Sequence, residues 1–214
     1  MTFPDEIIIL NHTLYGEKSL VLHTLSQTHG RRGFMVKDAS RYMPYFQPLN
    51  ILECDITDNP RSSLWTARSF RDRDPLLGIR TSMGKNAISM FMAEVLFRAT
   101  REDAHEPGLY EWCRQEIHLL DALQSDYSNF HIRFLLDFAS AMGFTPGFDS
   151  LMPFLGEDAA LVMQFLEQDF AGSMLIRMNG ARRNEICAKL LKFLEYHLEA
   201  TLRIRSLGVL AELF

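Results

Sequence analysis

Lysine and arginine side chains are concentrated in two short segments of the first eighty residues. Residues 30–41 carry four cations against one acid, and residues 61–80 carry five against two. The cations are Arg31, Arg32, Lys37 and Arg41 in the first segment and Arg61, Arg68, Arg71, Arg73 and Arg80 in the second. Cations spaced along neighbouring strands and loops can neutralise successive phosphates of a nucleic acid and release its condensed counterions. These two segments are therefore the first candidates for binding chemistry.

Aromatic residues interleave with these cations, and aromatic rings can stack on unpaired bases. They are Tyr15, Phe34, Tyr42, Tyr45, Phe46, Trp65 and Phe70. The residues alone leave a second interpretation open, in which half of the rings belong to a hydrophobic core and the arginines beside Asp72 and Asp74 form surface ion pairs. The pattern therefore indicates either a nucleic-acid surface or a solvated face.

The formal net charge of −5 hides an uneven distribution of charge along the chain. Residues 1–80 hold ten Lys and Arg against nine Asp and Glu, whereas residues 81–170 hold five against fourteen. The excess of acid thus lies in the middle of the chain, and two cationic segments persist in an acidic protein.

The sequence has no pattern typical of catalysis or of metal binding. Its seven histidines are scattered without an H-x-x-x-H pair, and its three cysteines stand singly. It contains no phosphate-binding loop, no dinucleotide-binding motif and no nucleophile elbow. We therefore expect a non-enzymatic protein without a metal or a cofactor. A site assembled from distant carboxylates or histidines stays open as the alternative.

The first eighty residues indicate short β-strands separated by turns. The β-prone stretches are "EIIIL", "SLVLHTL", "RGFMV", "LNILECDI" and "SLWTARSF". Their number and spacing predict a small antiparallel barrel; five strands is the OB-fold count, and SH3-like barrels have similar numbers. In "LWTARSF", the alternation predicts that Arg68 and Phe70 share one face while Ala67 and Ser69 share the other.

From about residue 84, apolar residues repeat at helical spacing. The pattern predicts helices near residues 84 and 109 and a third over 129–142, opened by Ser128 or Asn129 as a cap and closed by Gly143. Residues 157–168, 182–199 and 206–214 indicate further helices. The predicted fold class is α+β, with a β-barrel domain at residues 1–80 and an all-α helical bundle at residues 81–214.

The N-terminal stretch "MTFPDEIIIL" does not have the properties of a signal peptide or a membrane anchor. It carries two acids where a signal peptide needs cations, and its apolar run is too short to cross a bilayer. We therefore expect a cytoplasmic protein without membrane contact.

The stretch "LYGEKSLVLHTLSQTHGRRGFMVK", followed by "YFQPLNILECDI", resembles the N-terminal domain of the RecO family of bacterial recombination mediators. The family has a Y/W-G/S-E-x-S-L step, a T-x-x-x-G turn, a basic V-x-K strand end and an L-Q-P-L/F segment. The matching positions are Tyr15, Gly16, Glu17, Ser19, Leu20, Thr28, Gly30, Val36, Lys37, Gln47, Pro48 and Leu49. "FMAEVLFRA", "NFHIRFLLDFASAMGFTP" and "SLGVLAELF" are similar to helical segments of the family, so the likeness runs nearly end to end.

The resemblance implies an N-terminal five-stranded OB-fold β-barrel and no enzymatic activity. It also implies binding to single- and double-stranded DNA, annealing of complementary strands and, with RecR, loading of recombinase onto strands coated by the single-strand-binding protein (SSB). The implied location is the cytoplasm, in association with the nucleoid. The candidate DNA-binding residues are Arg31, Arg32, Lys37, Arg41, Arg68 and Arg71.

The resemblance further implies contact with the acidic C-terminal tail of SSB. A tail with a terminal carboxylate and apolar side chains needs a cation beside an apolar groove. Arg133 in the "HIRFLLDF" segment is the first candidate for that cation, and Arg98 is the second. The alternative for Arg133 is an ion pair with Asp137, one helical turn further on.

Two departures from the family pattern modify these expectations. Many members carry a four-cysteine zinc module after the L-G-Y/F segment, whereas residues 145–156, "TPGFDSLMPFLG", contain no cysteine, so we expect no zinc. The K-G-A-R sequence of the family appears here as "KDASR" at residues 37–41. Because Asp38 replaces the glycine, a second hypothesis is a protein-interaction adaptor that bridges RecR and SSB with little DNA binding of its own.

Overall fold

The computed structural model describes residues 1–59, 62 and 64–214. Arg61, which belongs to the second cationic segment, and Ser63, which begins the predicted fifth strand, lie outside the described residues. Both of the predicted regions, strands followed by helices, are present in the described part of the chain.

Within the described residues, five strands form a closed barrel. They are β1 (Thr2–Tyr15), β2 (Ser19–Ser26), β3 (Gly30–Val36), β4 (Ile51–Thr57) and β5 (Trp65–Asp72). The strands close in the order β1-β2-β3-β5-β4. The pairing of β3 with β5 is parallel, and the other four pairings are antiparallel. This five-stranded barrel is an OB-fold, so the predicted OB-fold is confirmed and the SH3-like alternative is removed.

Strand β1 is much longer than the five-residue stretch "EIIIL" that predicts it. It pairs with β4 through its first half and with β2 through its second half, with a register irregularity between Ile9 and Asn11. Such an irregularity bends a strand and so lets it contribute to both sides of the barrel. The polar half, "NHTLY", carries no run of apolar residues and therefore gave no strand signal in the sequence.

Strand β5 contains a bulge that changes which side chains face the core. Ser69 has a φ of 59°, and the register against β4 shifts between the partners of Arg68 and Arg71. As a result Ala67 and Phe70 both face the barrel core, where they are almost fully buried. The predicted shared face of Arg68 and Phe70 is therefore wrong, because one extra residue on the bulged strand reverses the alternation.

The turn between β2 and β3, which contains Thr28 and Gly30, is held by a side chain from another strand. Asp5 of β1 accepts a hydrogen bond from the hydroxyl of Ser26 and a second, of 2.9 Å, from Thr28. Gly30 has a φ of 65°, and a Cβ atom there would lie 2.3 Å from the carbonyl oxygen of Ala104. Only glycine allows this backbone conformation together with this close approach.

Nine α-helices follow the barrel in the described part of the chain. They are α1 (Leu77–Thr81), α2 (Met83–Ala99), α3 (Leu109–Ala122), α4 (Phe130–Ala141), α5 (Phe148–Leu155), α6 (Ala159–Glu167), α7 (Phe170–Met174), α8 (Gly180–Leu198) and α9 (Ser206–Leu213). The helices predicted near residues 84, 109, 129, 157, 182 and 206 are confirmed, as is the predicted α+β class. Among the described helices, none is both long and apolar enough to cross a membrane.

The chain divides into two compact units, each with its own buried residues. One contains Met1–Leu77 and Thr100–Ile117, and the other contains Gly78–Ala99 and His118–Phe214. In the first unit, the segment after α2 pairs with β3, because Arg31 N donates to Ala104 O at 2.8 Å and Asp103 N to Arg31 O at 2.7 Å. The functional division near residue 80 remains a prediction.

The start of α4 differs from its prediction. Asn129 occupies the N-cap position, but its side chain makes no capping hydrogen bond. Its amide nitrogen lies 2.8 Å from Ile176 O and 3.2 Å from Met174 O, and its side-chain oxygen accepts from Arg183 Nε at 2.9 Å. The predicted cap position is therefore confirmed at Asn129, but its buried amide satisfies the carbonyls of another segment instead of capping α4. Gly143, with a φ of 86°, follows α4 as predicted.

Candidate nucleic-acid interface

The six candidate DNA-binding residues fall into two groups according to their exposure in the first unit. Lys37, Arg41, Arg68 and Arg71 are exposed, whereas Arg31 is buried and Arg32 is partly buried. A phosphate can reach only a cation that is accessible from solvent. The exposed group is therefore the one whose geometry suits phosphate contact.

Arg31 is held inside the first unit. Its residue surface is 3% exposed, and its backbone pairs with Ala104 and Asp103. Burial lowers the pKa of its guanidinium, and the carboxylates of Glu102 and Asp103 act in the opposite direction. These acids lie seventy residues further along the chain, so a linear count of charges cannot anticipate them.

Arg32 is also engaged by the protein itself. Its Nη2 atom lies 2.9 Å from the Asp103 carboxylate, and its guanidinium carbon lies 4.1 Å from the centroid of the Trp65 ring. An ion pair and a cation–π contact together hold a guanidinium in one orientation. A DNA contact by Arg31 or Arg32 remains a prediction, whereas the exposed cations are the ones that a phosphate can reach directly.

Tyr15 and Arg68 lie on strands of the barrel, and Lys37 directly follows one. Tyr15 of β1 faces Ser19 of β2, and Leu20, the next residue of β2, faces Val36, the last residue of β3. Lys37 comes directly after Val36, and Arg68 lies on β5 two residues after Thr66, which faces Met35 of β3. All three side chains are exposed, whereas Leu20, Val36 and Ala67 belong to the barrel core. We call Tyr15, Lys37 and Arg68 the outer row.

The cations of the outer row are not neutralised within the described part of the chain. Lys37 and Arg68 have no ion-pair partner among the described residues, whereas Arg71 lies 4.0 Å from Glu53. Arg73, its neighbour on β5, pairs with the same carboxylate at 2.7 Å. Arg71 and Arg73 therefore share one acid of β4, whereas Arg68, which faces Asp55 of β4 across the ladder, forms no ion pair in the described residues.

A further cation beside the outer row gave no signal in the sequence. Lys18 is exposed at the tip of the β1–β2 hairpin, and its carbonyl oxygen accepts a 2.9 Å hydrogen bond from Ala39 N. This bond ties the hairpin tip to the 3-10 turn Ala39–Tyr45, which carries Arg41. Lys18 stands singly between Glu17 and Ser19, so a search for clusters of cations passes over it.

The backbone conformation at Asp38 is one that glycine adopts easily. Its φ of 50° and ψ of 43° lie in the left-handed region, which glycine adopts without the steric cost that a Cβ atom brings. Aspartate tolerates this conformation better than most residues. Its exposed carboxylate stands next to Lys37 in the chain and lowers the local positive charge.

Arg133, the first candidate for the SSB tail, makes contacts within the second unit. Its Nε donates to Asp137 at 2.7 Å and its Nη1 to Phe165 O at 2.8 Å, and 18% of its side chain is exposed. The alternative of an ion pair one turn along the helix is therefore confirmed. The bond to Phe165 satisfies a carbonyl near the C-terminal end of α6, where a cation is favourable. Tail binding by Arg133 remains a prediction.

Arg98, the second candidate, is the more accessible cation. It is exposed in the last turn of α2, and its guanidinium carbon lies 5.3 Å from the centroid of the Phe97 ring. A cation beside an apolar ring is the kind of pair that a carboxylate with apolar neighbours requires.

The cysteines and acids give no sign of a reactive or metal-binding centre. Cys54, Cys113 and Cys187 are buried, and burial raises the pKa of each thiol. In residues 1–59, 62 and 64–214, no group of three or more His, Cys, Asp or Glu side chains is arranged to hold a metal ion.

Comparisons with known proteins cover both the barrel and the helices. A family model described as Recombination protein O N terminal matches residues 1–72, and one described as Recombination protein O C terminal matches residues 80–152. The DNA repair protein RecO of Phocaeicola vulgatus is 28% identical over 96% of this chain and 97% of its own. That of Bacteroides fragilis strain YCH46 is 27% identical over 97% of each chain. That of Flavobacterium johnsoniae is 25% identical over 100% of both.

Proposed function

Because the chain belongs to the RecO family of DNA repair and recombination proteins, we propose that it binds and anneals single-stranded DNA. Together with RecR, it would help to load recombinase onto strands coated by SSB. The observation that carries this proposal is the outer row, in which Lys37 and Arg68 are exposed without an ion-pair partner in the described residues and Tyr15 is exposed as well.

Annealing follows from the same electrostatics as binding. Two complementary strands repel each other through their phosphates, and cations that neutralise part of this charge let the strands approach. Contacts to phosphate carry no sequence information, so they suit a protein that must act on any strand and can also touch duplex DNA. The bases stay free to find their complements.

The annealing experiment uses charge reversal of Lys37, Arg41 and Arg68 together. We expect the rate at which complementary labelled oligonucleotides anneal to fall at least tenfold, because the phosphates lose their counter-charges. The matched control reverses three exposed cations of the second unit, Arg177, Lys192 and Arg203. That control changes the net charge equally and should anneal at nearly the parent rate.

A second candidate function is an adaptor that bridges RecR and SSB without much DNA binding of its own. The net charge of −5 and the internal contacts of Arg31 and Arg32 favour it. Under this function, annealing by the triple charge-reversal variant would persist. RecR would then supply the positive surface that this chain lacks.

For SSB, we propose that Arg98 binds the terminal carboxylate of the acidic tail, with Arg133 as the other candidate. The accessible position of Arg98 beside Phe97 supports this role. Anisotropy of a labelled tail peptide should show Arg98→Ala weakening the complex by about fivefold, the equivalent of roughly 1 kcal/mol for a surface charge pair. Equal affinity of Arg98→Ala and the parent would rule out Arg98 as the carboxylate ligand.

A further inference from the structure

We propose that the Tyr15 ring is a stacking platform for an unpaired base and that it gives the barrel its preference for single strands over duplex. This inference rests on the proposed DNA binding and adds a specificity determinant to it. It assigns to Tyr15 a contact with the base, whereas Lys37 and Arg68 contact the phosphates.

Tyr15 is exposed to solvent at the end of β1. Its residue surface is 62% exposed, and that of the preceding Leu14 is 75% exposed. Both residues end β1, just before Gly16 turns the chain with a φ of 68°. Two large apolar side chains therefore project from the tip of a hairpin into solvent.

Packing within the protein does not account for this ring. Within the described residues, Tyr15 makes no ring contact, and its hydroxyl makes no hydrogen bond. Its cross-strand neighbour is Ser19, which offers no apolar surface against which a ring can pack. Most tyrosines of the barrel behave differently, since Tyr42 lies 5.0 Å from Phe70 between ring centroids and packs against the core.

The neighbours of Tyr15 have the charge that a single strand requires. Lys18, also exposed, follows Tyr15 around the hairpin tip. Its carbonyl oxygen accepts a hydrogen bond from Ala39 N, which holds Lys37, two residues earlier in the chain than Ala39, near this tip. The side chains of these two lysines can reach the phosphate of a nucleotide whose base lies on the ring. An aromatic face beside cations is the arrangement by which single strands are bound without regard to sequence.

The stacking role predicts a preference among nucleic acids. In a duplex the bases are already stacked and paired, so the ring can gain nothing without breaking a pair. A strand without bases offers phosphates alone. Only a single strand with bases can use both Tyr15 and the cations, whereas duplex and abasic strands can use the cations only.

The experiment compares Tyr15→Ser with the parent chain on three probes of equal length: oligothymidylate, an abasic oligomer and a blunt duplex. We expect the affinity for oligothymidylate to fall about 5- to 150-fold, as for the loss of one base–aromatic stack. The affinities for the abasic oligomer and the duplex should stay within twofold. Tyr15→Phe should bind as the parent does, and Tyr15→Trp should bind oligothymidylate at least as tightly.

The matched control is Tyr196→Ser, which removes another exposed tyrosine, 70% exposed, from the second unit. It should leave the binding of all three probes unchanged. Equal affinity of Tyr15→Ser and the parent for oligothymidylate would overturn the stacking role while leaving the proposed function intact. An equal loss on all three probes would overturn it too. If the parent did not bind oligothymidylate at all, the proposed DNA binding itself would fail.

Discussion

At the scale of single residues, the structure separates cations that stabilise the protein from cations that are available to a ligand. Arg32 pairs with Asp103 at 2.9 Å, whereas Lys37, five residues later, is exposed and has no ion-pair partner in the described residues. Both belong to one cationic segment of the sequence. The cationic segment could be recognised from residue types, but the ion pair between Arg32 and Asp103 could not, because Asp103 is distant in sequence. Lys18 was not predicted, because it lies apart from the other cations in the sequence and comes near Arg41 only in the folded chain.

Asp38 offers a test of charge beside the outer row. We expect Asp38→Asn to raise the affinity for single-stranded DNA about two- to fivefold at low salt, because an exposed acid next to Lys37 is removed. Asp38→Gly should give the same gain, and it also suits the left-handed φ of 50°. The measurement is a binding isotherm for each variant. Unchanged affinity in both would show that no phosphate lies near this loop.

His131 should make the stability of the protein depend on pH. It is fully buried, it packs against Phe91 and Phe214, and neither ring nitrogen has a hydrogen-bond partner among the described residues. Burial, with a smaller effect of the nearby Arg183, lowers the pKa of His131 to about 3. Between pH 3 and the ordinary value near 6.5, the unfolded chain therefore binds a proton that the folded chain does not.

The free energy of unfolding should consequently fall as the pH drops through this range, by up to about 1.4 kcal/mol per pH unit from this residue. His131→Phe removes the titrating group while keeping a ring. We expect the difference in unfolding free energy, variant minus parent, to increase as the pH falls from 7 to 4. Denaturant unfolding at several pH values measures this difference. A difference that did not change with pH would contradict the assigned pKa shift.

Arg133 is expected to contribute to stability whatever its role in binding. Arg133→Ala leaves Asp137 and the carbonyl of Phe165 without their donor, so the free energy of unfolding should fall by about 1–3 kcal/mol. Arg98→Ala is the control, because removing an exposed cation should change stability by less than about 0.5 kcal/mol. Thermal and denaturant unfolding compare the two. An Arg133→Ala variant as stable as Arg98→Ala would show that the contacts of Arg133 carry no net stability.

At the scale of elements, the long periodic segments could be predicted from sequence and the short or bulged ones could not. Helices α2, α4 and α8 each present a sustained apolar stripe, and all three were predicted. Helices α1 and α7, of five residues each, are too short to establish a period. The bulge at Ser69 could not be predicted, because a prediction from alternation assumes an unbroken strand ladder. The positive φ of 59° that the bulge requires also falls on a serine rather than on a glycine. Packing, rather than local propensity, fixes that conformation.

A carboxylate from α2 accepts hydrogen bonds from the N-terminus of helix α9. Glu94 accepts hydrogen bonds from the backbone nitrogens of Arg205 and Ser206, at 3.1 and 2.9 Å, and from the Ser206 hydroxyl at 2.6 Å. It thereby satisfies the N-terminus of α9, whose own N-cap residue makes no side-chain capping bond. Burial raises the pKa of Glu94, but the bonds from Ser206 and Arg205 outweigh it, so the pKa is lowered overall.

Glu94→Gln should lower the free energy of unfolding by about 0.5–2 kcal/mol at pH 7, because the charge at this helix end is lost. Since the folded pKa lies below the unfolded one, the contribution of the carboxylate is present above the unfolded pKa and disappears as the pH falls through the folded pKa. Variant and parent should therefore converge in acid. Glu212→Gln, near the C-terminal end of α9, is the control and should change stability by less than about 0.5 kcal/mol. A loss independent of pH would contradict a role for the charge.

At the scale of the whole molecule, net charge is a poor guide to what the protein binds. The chain carries a formal charge of −5, yet its OB-fold has exposed cations on its outer face. The fold class could be predicted because strand and helix periodicities occupy separate parts of the chain. The candidate interface could be predicted only in part, because it depends on which cations of the folded barrel are exposed and on where Tyr15, Lys37 and Arg68 fall in or after their strands.

Contact between these cations and phosphates can be tested through the salt dependence of single-strand binding, compared between the parent and the triple variant Lys37→Gln, Arg41→Gln, Arg68→Gln. Each phosphate contact contributes about 0.7 to the slope of log K against log salt concentration for single strands, so the variant should lose about 2 from the magnitude of the parent slope. The triple glutamine variant of Arg177, Lys192 and Arg203 should keep the parent slope. Equal slopes for the parent and the triple variant of Lys37, Arg41 and Arg68 would show that these cations do not contact the phosphates of bound DNA.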